Sequence, residues 1–405
     1  MPQTKLDNLA PLILAWWDDH RTELPWREPV PVLASDDSVN SSFPAGGSLR
    51  EGQSGSCSVE TGSTAVKQID PYAIWVAEVM LQQTRVATVI PYYLNWMERF
   101  PSIENLAAAS LDDVLKCWQG LGYYGRVRNL RRSARLLVAD YEGRLPVTVE
   151  RLIKLPGIGR YTAGAIASIA FGQRTAAVDG NVTRVISRLV DYPDDVTSNK
   201  SKKEFWELVG GAVPAERPGD FNQALMDLGQ QICLVRNPSC HQCPLSDLCL
   251  ARLRGTQLER PVRPARKKTP HYDVTAAVIR GKDGRFLITK RPLDGMLGGL
   301  WEFPGGKVEK GESLAAALQR EIEEELAVSI TVGAEFTSLK HAYTHYRITL
   351  HAFNAKIANG RIQHLGVIDH AWVVLEEMDR YAFAATDLKI INHLLVMDSR
   401  SRIEK

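Results

Sequence analysis

Four cysteines fall within one short stretch of a 405-residue chain, spaced Cys233-x6-Cys240-x2-Cys243-x5-Cys249. Thiols this crowded must close a loop, through disulfides or around a shared metal centre. The opening MPQTKLDNLAPLILAWWDDH has neither a basic n-region nor a small-residue cleavage site. No apolar run approaches the roughly 18 residues of a membrane helix. A soluble, unexported chain keeps its thiols reduced, so the set reads as a metal or cluster site. Four thiolates suit zinc and iron-sulfur alike, and the spacing by itself leans to zinc. Of the remaining cysteines, Cys117 beside Trp118 reads as a small buried hydrophobe, and Cys57 lies in a polar stretch with no assigned task.

The texture of the chain divides it into a multidomain protein. Residues 1–28 and 70–252 carry apolar positions at helical spacing with almost no strand alternation, predicting an all-α domain that includes the cysteine loop. Residues 29–69 are rich in Ser, Gly and acids, and read as a flexible insertion of unassigned purpose. Residues 253–270 form a Pro-interrupted basic linker, either a phosphate contact or merely solvated. Residues 271–405 turn to strands (YDVTAAVIR, RFLITKR, HYRITLHAFNAKI, AWVVL) around a helical LAAALQREIEEEL, predicting an α+β domain. Net charge is only +2, which argues against a polyanion partner until it is resolved locally. Residues 111–190 hold thirteen Lys/Arg against six Asp/Glu, and residues 251–270 seven against one. The acid that offsets them lies mainly in residues 1–110 and 301–330.

Three helical-half motifs carry chemistry. Leu155-Pro-Gly-Ile-Gly-Arg-Tyr-Thr-Ala-Gly-Ala-Ile166 sets Gly157 and Gly159, both free to take positive φ, in a tight turn before a small-residue helix. Such a turn and helix N-terminus can hold a phosphate, or simply connect two helices. Asp179, in Val178-Asp-Gly-Asn-Val-Thr-Arg184, stands at the start of another helix, where its plain reading is an N-cap. Glu78 interrupts the apolar stripe of a helix opened by Asp70 and Pro71. A carboxylate there needs a hydrogen bond or a task, because burying it unpaired is costly.

With Leu24-Pro-Trp-Arg27, Glu78 to Thr84, Gln119-Gly-Leu-Gly-Tyr-Tyr124 and the cysteine set, these motifs stand in the order found in one family. The chain resembles MutY-type adenine DNA glycosylases of the helix-hairpin-helix superfamily, over nearly its whole length outside residues 29–69. The resemblance implies that Glu78 is the general acid that protonates adenine N7, its pKa raised by burial. It implies that Asp179 is the ionised partner facing the oxocarbenium sugar, with a transient covalent adduct there. Tyr161 stands where lyase-competent relatives carry a lysine. A phenol forms no imine, so a monofunctional enzyme is expected, with Tyr161 and Asn181 hydrogen-bonding around the reacting centre. Gln82, Gln83 and Tyr124 become candidates to wedge into the base stack, Gly157, Gly159 and Arg160 to hold DNA, and Trp26 and Arg27 to line the adenine pocket. Cys233, Cys240, Cys243 and Cys249 would hold a 4Fe-4S cluster, bracing a loop that presents Arg236 to the backbone. The implied substrate is double-stranded DNA with adenine opposite 8-oxoguanine or guanine, bound by a monomer in the bacterial cytoplasm at the nucleoid, with no membrane partner. An abasic-site endonuclease would take the product.

In the C-terminal domain, Gly306 to Val328 fits a Nudix signature except that Ala327 replaces its helix-ending glycine. Glu321, Glu324 and Glu325 match the acids that bind Mg2+ on a pyrophosphate. Family members usually lack these acids and use the domain to read 8-oxoguanine. The box is therefore either a retained structural helix or a working 8-oxo-dGTP hydrolase. His341-Ala-Tyr-Thr-His-Tyr346 resembles the family's lesion-reading loop, implicating Tyr343, Thr344 and His345. Two rivals stand against this reading: a lyase-competent endonuclease-type glycosylase, which Tyr161 disfavours, and a pyrophosphohydrolase whose helical half merely binds DNA.

Overall fold

The computed structural model describes residues 8–28, 69–265 and 269–403. The insertion read over 29–69, with Cys57, lies outside the described residues except for Ile69, as do Arg266, Lys267 and Lys268 of the basic stretch. The helical half runs α1 (Leu9–His20), a short 3-10 turn Pro25–Arg27, α2 (Pro71–Leu81), α3 (Val86–Arg99), α4 (Ile103–Ala108), α5 (Leu111–Trp118) and α6 (Gly125–Asp140). It continues through α7 (Val149–Leu152), α8 (Arg160–Ile169), α9 (Gly180–Leu189), α10 (Asn199–Ala212), α11 (Pro218–Gln231) and α12 (Leu250–Arg254).

Start signals set where these helices begin. Asp70 accepts from the Tyr72 amide at 2.9 Å, with Pro71 at the first helical position. Tyr72 to Met80 are all buried, so α2 is apolar on every side and serves as a central rod. One core packs α2 against α3, α5 and α6 through Trp75, Trp96 and Trp118. A second joins α1 to α9, α10 and α11 through Ile13, Ile186, Phe205 and Phe221. The cleft between the two cores opens at the ends of α2, α8 and α9. The turn from α7 to α8 requires glycine once: Gly157 has φ +79°, and a Cβ there would fall 2.7 Å from Asn129 Cβ. Gly159, expected to share that freedom, has φ −87° and is the extended N-cap of α8.

The α+β half comprises β1 (His271–Ile279), β2 (Phe286–Lys290), β3 (Trp301–Glu302), α13 (Leu314–Leu326), β4 (Val328–Ala342), β5 (Arg347–Gly360), β6 (Asp369–Val373) and α14 (Ala385–Ile403). Two three-stranded sheets are ordered β1-β5-β4 and β3-β2-β6, with β1 parallel to β5 and β4 antiparallel to it. The fifteen-residue β4 escapes sequence reading because register shifts near Ile330, Glu335 and Thr337 keep resetting its alternation. The signature helix α13 ends on Ala327 at φ +56° and ψ 31°, a left-handed cap normally given to glycine.

The two halves touch. Leu115 of α5 shares a core with Leu300, Ala382 and Ala384. Lys290 Nζ meets the Asp112 carboxylate at 2.6 Å, the Phe383 amide donates to Gln119 Oε1 at 2.9 Å, and Arg128 donates to the Gly298 carbonyl at 2.7 Å. No helix among the described residues is long and apolar enough to cross a membrane.

Candidate active site

A cavity of about 1200 Å³ fills the cleft between the two helical cores. Glu78, Tyr161 and the Asp179/Asn181 pair, far apart in the chain, all line it. Glu78 is 6% exposed, and its Oε2 accepts a hydrogen bond from the Tyr161 hydroxyl at 2.7 Å. Burial is the main cause that pushes its pKa up to about 7. The Tyr161 hydrogen bond and Arg27 oppose the rise, and Asp179 adds to it. Tyr161 also reaches Met226 Sδ at 3.5 Å, and burial first, then the two carboxylates, push its own pKa upward.

Asp179 is the N-cap of α9 and accepts from the Val182 amide at 2.7 Å and from Asn181 Nδ2 at 2.9 Å. Burial raises its pKa, and these donors pull it back toward the carboxylate. The plain capping reading and the site reading therefore describe one side chain. Asn181 Oδ1 accepts from Arg184 at 2.9 Å, and Gly229 makes room for it: a Cβ there would lie 2.7 Å from Asn181 Cβ.

Trp26 is 4% exposed, packed edge-on to Tyr93, and lines the cavity. Arg27 does so while gripped by Asp227, with Nη1 to Oδ2 at 2.7 Å and Nη2 to Oδ1 at 2.9 Å. Asp227, 2% exposed, also accepts from Trp17 Nε1 at 3.0 Å. Nothing local in the sequence marks it; a buried guanidinium two hundred residues earlier was the only signal.

The wedge candidates separate. Gln82 and Gln83 line the cavity; Gln82 donates to Thr162 Oγ1 at 3.2 Å, and Gln83 is exposed with φ +61°. Tyr124 turns inward instead. It is 5% exposed and its hydroxyl accepts from the Gly120 amide, because it closes the loop that enters α6. Its neighbour Tyr123, 41% exposed and at φ +49°, points outward. Arg126, absent from the sequence reading, ties these loops together. It donates to the carbonyls of Val79, Met80 and Gln82 at 2.7 to 2.9 Å, and to those of Leu121 and Gly122 at 3.1 Å. A guanidinium there also faces the negative end of α2. Burial lowers its pKa to about 10. Gly157 and Gly159 line the cavity, whereas Arg160 stacks 4.2 Å over the Trp206 ring, which also lines it.

In the α+β half, the Tyr343 amide donates to the Tyr346 carbonyl, closing a tight β4–β5 hairpin. Thr344 and His345 are exposed at its tip, and the Thr344 hydroxyl meets that of Tyr123. Tyr343 faces away from the tip. It meets the His341 ring edge-on and lines a cavity of about 300 Å³ inside its own half. Arg320 engages Glu312 at 3.0 Å, Glu321 at 2.9 Å and Glu324 at 3.2 Å. Glu325 Oε2 is buried without a hydrogen-bond partner among the described residues, and burial followed by Glu321 pushes its pKa up to about 7. The unpartnered Glu325 Oε2 would suit a cation at the box, with Glu321 and Glu324 as its neighbours.

The four cysteines are free thiols and partly buried. Burial, then the nearness of Cys233, Cys249 and Cys240, pushes the Cys243 thiol up to about 12, a field that a bound cation would relieve. Arg188 donates to Cys233 Sγ at 3.2 Å.

A carboxylate cleft flanked by a glycine hairpin places the helical half in the helix-hairpin-helix class of base-excision repair proteins. Residues 76–210 match the HhH-GPD superfamily base excision DNA repair protein family. Residues 233–249 match the iron-sulfur binding domain of endonuclease III, making the cysteine loop a cluster site and settling the choice left open by spacing; residues 275–393 match the NUDIX domain. Among curated relatives, the chain is 34% identical to the rat adenine DNA glycosylase over 93% of its own length and 76% of that protein's. It is 36% identical to the mouse protein, covering 84% and 69%, and 30% identical to the fission yeast protein, covering 99% and 92%. Its match to the human adenine DNA glycosylase takes in 65% of that protein's length. The chain belongs to the adenine DNA glycosylase family.

Proposed function

We propose that this protein hydrolyses the N-glycosidic bond of adenine mispaired with 8-oxoguanine or guanine in duplex DNA, and that it acts as a monomer without cutting the strand. The observation that carries the reading is the buried Glu78 carboxyl, with its pKa near 7, hydrogen-bonded to a phenol. Flipping the adenine costs a few kcal/mol of unstacking and brings its imidazole edge into the cavity. Protonated Glu78 delivers a proton to N7, so the base leaves as a neutral leaving group. Asp179, held toward the anion by its cap hydrogen bonds, faces the positive charge that grows on the sugar. The two carboxyls therefore divide the work by environment. Tyr161 keeps the Glu78 carboxyl in place and offers no amine for a Schiff base, so the product is an intact strand with an abasic site. An abasic-site endonuclease must then act on it. Cys233, Cys240, Cys243 and Cys249 would hold the iron-sulfur cluster, which braces the loop from Cys233 to Cys249.

The test is incubation with duplex containing adenine opposite 8-oxoguanine, with and without alkali. Base release with cleavage only after alkali is expected. Cleavage without alkali would overturn the monofunctional reading, and no base release from the mispair would overturn the whole. A second activity, hydrolysis of 8-oxo-dGTP with Mg2+, is favoured by the buried, unpartnered Glu325 Oε2 alone. Release of pyrophosphate and 8-oxo-dGMP that Glu325→Gln abolishes would establish it.

A further inference from the structure

Three side chains of metal-ligating type converge in the α+β half, away from the catalytic cavity. His364 lies in the loop from β5 to β6, and Asp369 and His370 are the first two residues of β6. One ligand atom from each lies within 4.8 Å of the others, the only such trio among the described residues. His364 Nε2 faces His370 Nδ1 at 2.7 Å, with the two rings 69° apart. Imidazole nitrogens this close share one proton, so one of them presents a bare lone pair. A zinc ion bound at about 2.0 to 2.1 Å would hold the two nitrogens about 3.3 Å apart. A small rotation of the rings supplies that parting, and the donor ring need only take its other tautomer.

The backbone beneath the trio is pinned. The amides on either side of His364, those of Gln363 and Leu365, donate to the carbonyls of Leu326 at 2.9 Å and Glu325 at 3.0 Å, at the end of α13. Gly366 sits so close to that helix that a Cβ would fall 2.9 Å from Glu325 Cγ. Val367 is buried in the core beside α13, and the Ile368 amide donates to the Lys290 carbonyl at 2.9 Å. Asp369 curls back to accept from the His370 amide at 2.8 Å, which keeps its carboxylate beside the imidazoles. Its partner in register, Lys290, gives its ammonium to Asp112 at 2.6 Å, so among the described residues the Asp369 carboxylate has no cation of its own. Solvent reaches the trio: His364 and Asp369 are exposed and His370 is half-buried.

We propose that His364, Asp369 and His370 bind a divalent metal of the zinc type, with water as the fourth ligand, and that the ion clips the β5–β6 loop to the start of β6. Two imidazoles and one carboxylate suit zinc, copper or nickel, whereas magnesium and calcium take oxygen ligands. The ion replaces the shared proton as the link between the rings, and the carboxylate offsets one of its charges. This site stands apart from the cysteine loop and from the acids of α13, and it does not depend on the glycosylase reading.

The test is a zinc titration of the full cluster-loaded chain, read by competition with a chromophoric chelator, with millimolar Mg2+ present to occupy the acids of α13. One zinc per chain is expected, and X-ray absorption at the zinc edge should show scattering from two imidazole rings. His364→Gln/His370→Gln should abolish that zinc. Asp369→Asn should weaken it by more than the roughly tenfold lost with an outer-shell partner. Because these side chains lie at the surface, unchanged melting and iron content in the absence of zinc would show that the variants fold. A folded double variant that holds zinc as tightly as the parent, or a parent that holds none, would overturn the proposal. Displacement of the zinc by Mg2+ would overturn the assignment to a metal of this class.

Discussion

The Tyr161 hydroxyl donates to Glu78 Oε2 at 2.7 Å in a setting where both side chains are withdrawn from water. The phenol cannot neutralise the carboxylate, so burial wins and the proton stays on Glu78 up to about pH 7.

Single-turnover adenine release should therefore fall as pH rises through about 7, since the protonated form is the donor. Glu78→Gln should abolish release while leaving mispair binding in place. A rate that rises steadily from pH 6 to 9 would rule out the assignment.

The same group should appear in stability. Its folded pKa lies above the ordinary 4.5, so over that window the folded chain holds a proton the unfolded chain has released. The Glu78 contribution is fully present below pH 4.5 and is lost as pH rises through 7. Denaturation of Glu78→Gln against the parent should show the variant gaining about 2 to 3 kcal/mol relative to the parent between pH 5 and pH 8. A constant difference would contradict the shift.

Asp227→Leu should cost about 3 to 5 kcal/mol by stranding Arg27 in the cavity wall. Adding Arg27→Met should recover most of that stability while still impairing base release. If the double variant is no more stable than Asp227→Leu, the ion pair is not what holds the wall.

Arg126→Met leaves several carbonyls of the two wedge loops without their donor. A loss of about 3 kcal/mol and a larger fall in duplex affinity than in thermal stability are expected. Normal affinity in the folded variant would show that the loops hold themselves.

Ala327→Gly should stabilise the chain by about 1 kcal/mol, because the cap at φ +56° strains any residue with a Cβ. Equal or lower stability would mean that the Ala methyl packs usefully.

Much of this site was legible because its residues sit at element starts. Asp70, Asp179 and Gly157 announce a cap, a cap and a turn by type alone, and the cysteines announce a loop. What remained hidden depends on long-range pairing or on orientation. Asp227 matters only once α11 meets the 3-10 turn, and Arg126 only once α2 and α6 cross. Tyr123 and Tyr124 are chemically identical neighbours, so sequence could not say that Tyr124 would be spent on closing its own loop. The strand β4 was masked by its bulges.

Helix α2 carries Glu78 in its last turns and hands over to Gln82 and Gln83 at its end. At 1.5 Å per residue, four positions amount to about 6 Å along the axis. Because the rod is buried on all sides, that spacing is rigid: in the proposed reaction it would act as a ruler between the hole left in the base stack and the place where the expelled base is protonated. One residue inserted into α2 would turn the acid by about 100° around the rod and separate flipping from chemistry, even though every side chain of the site was still present.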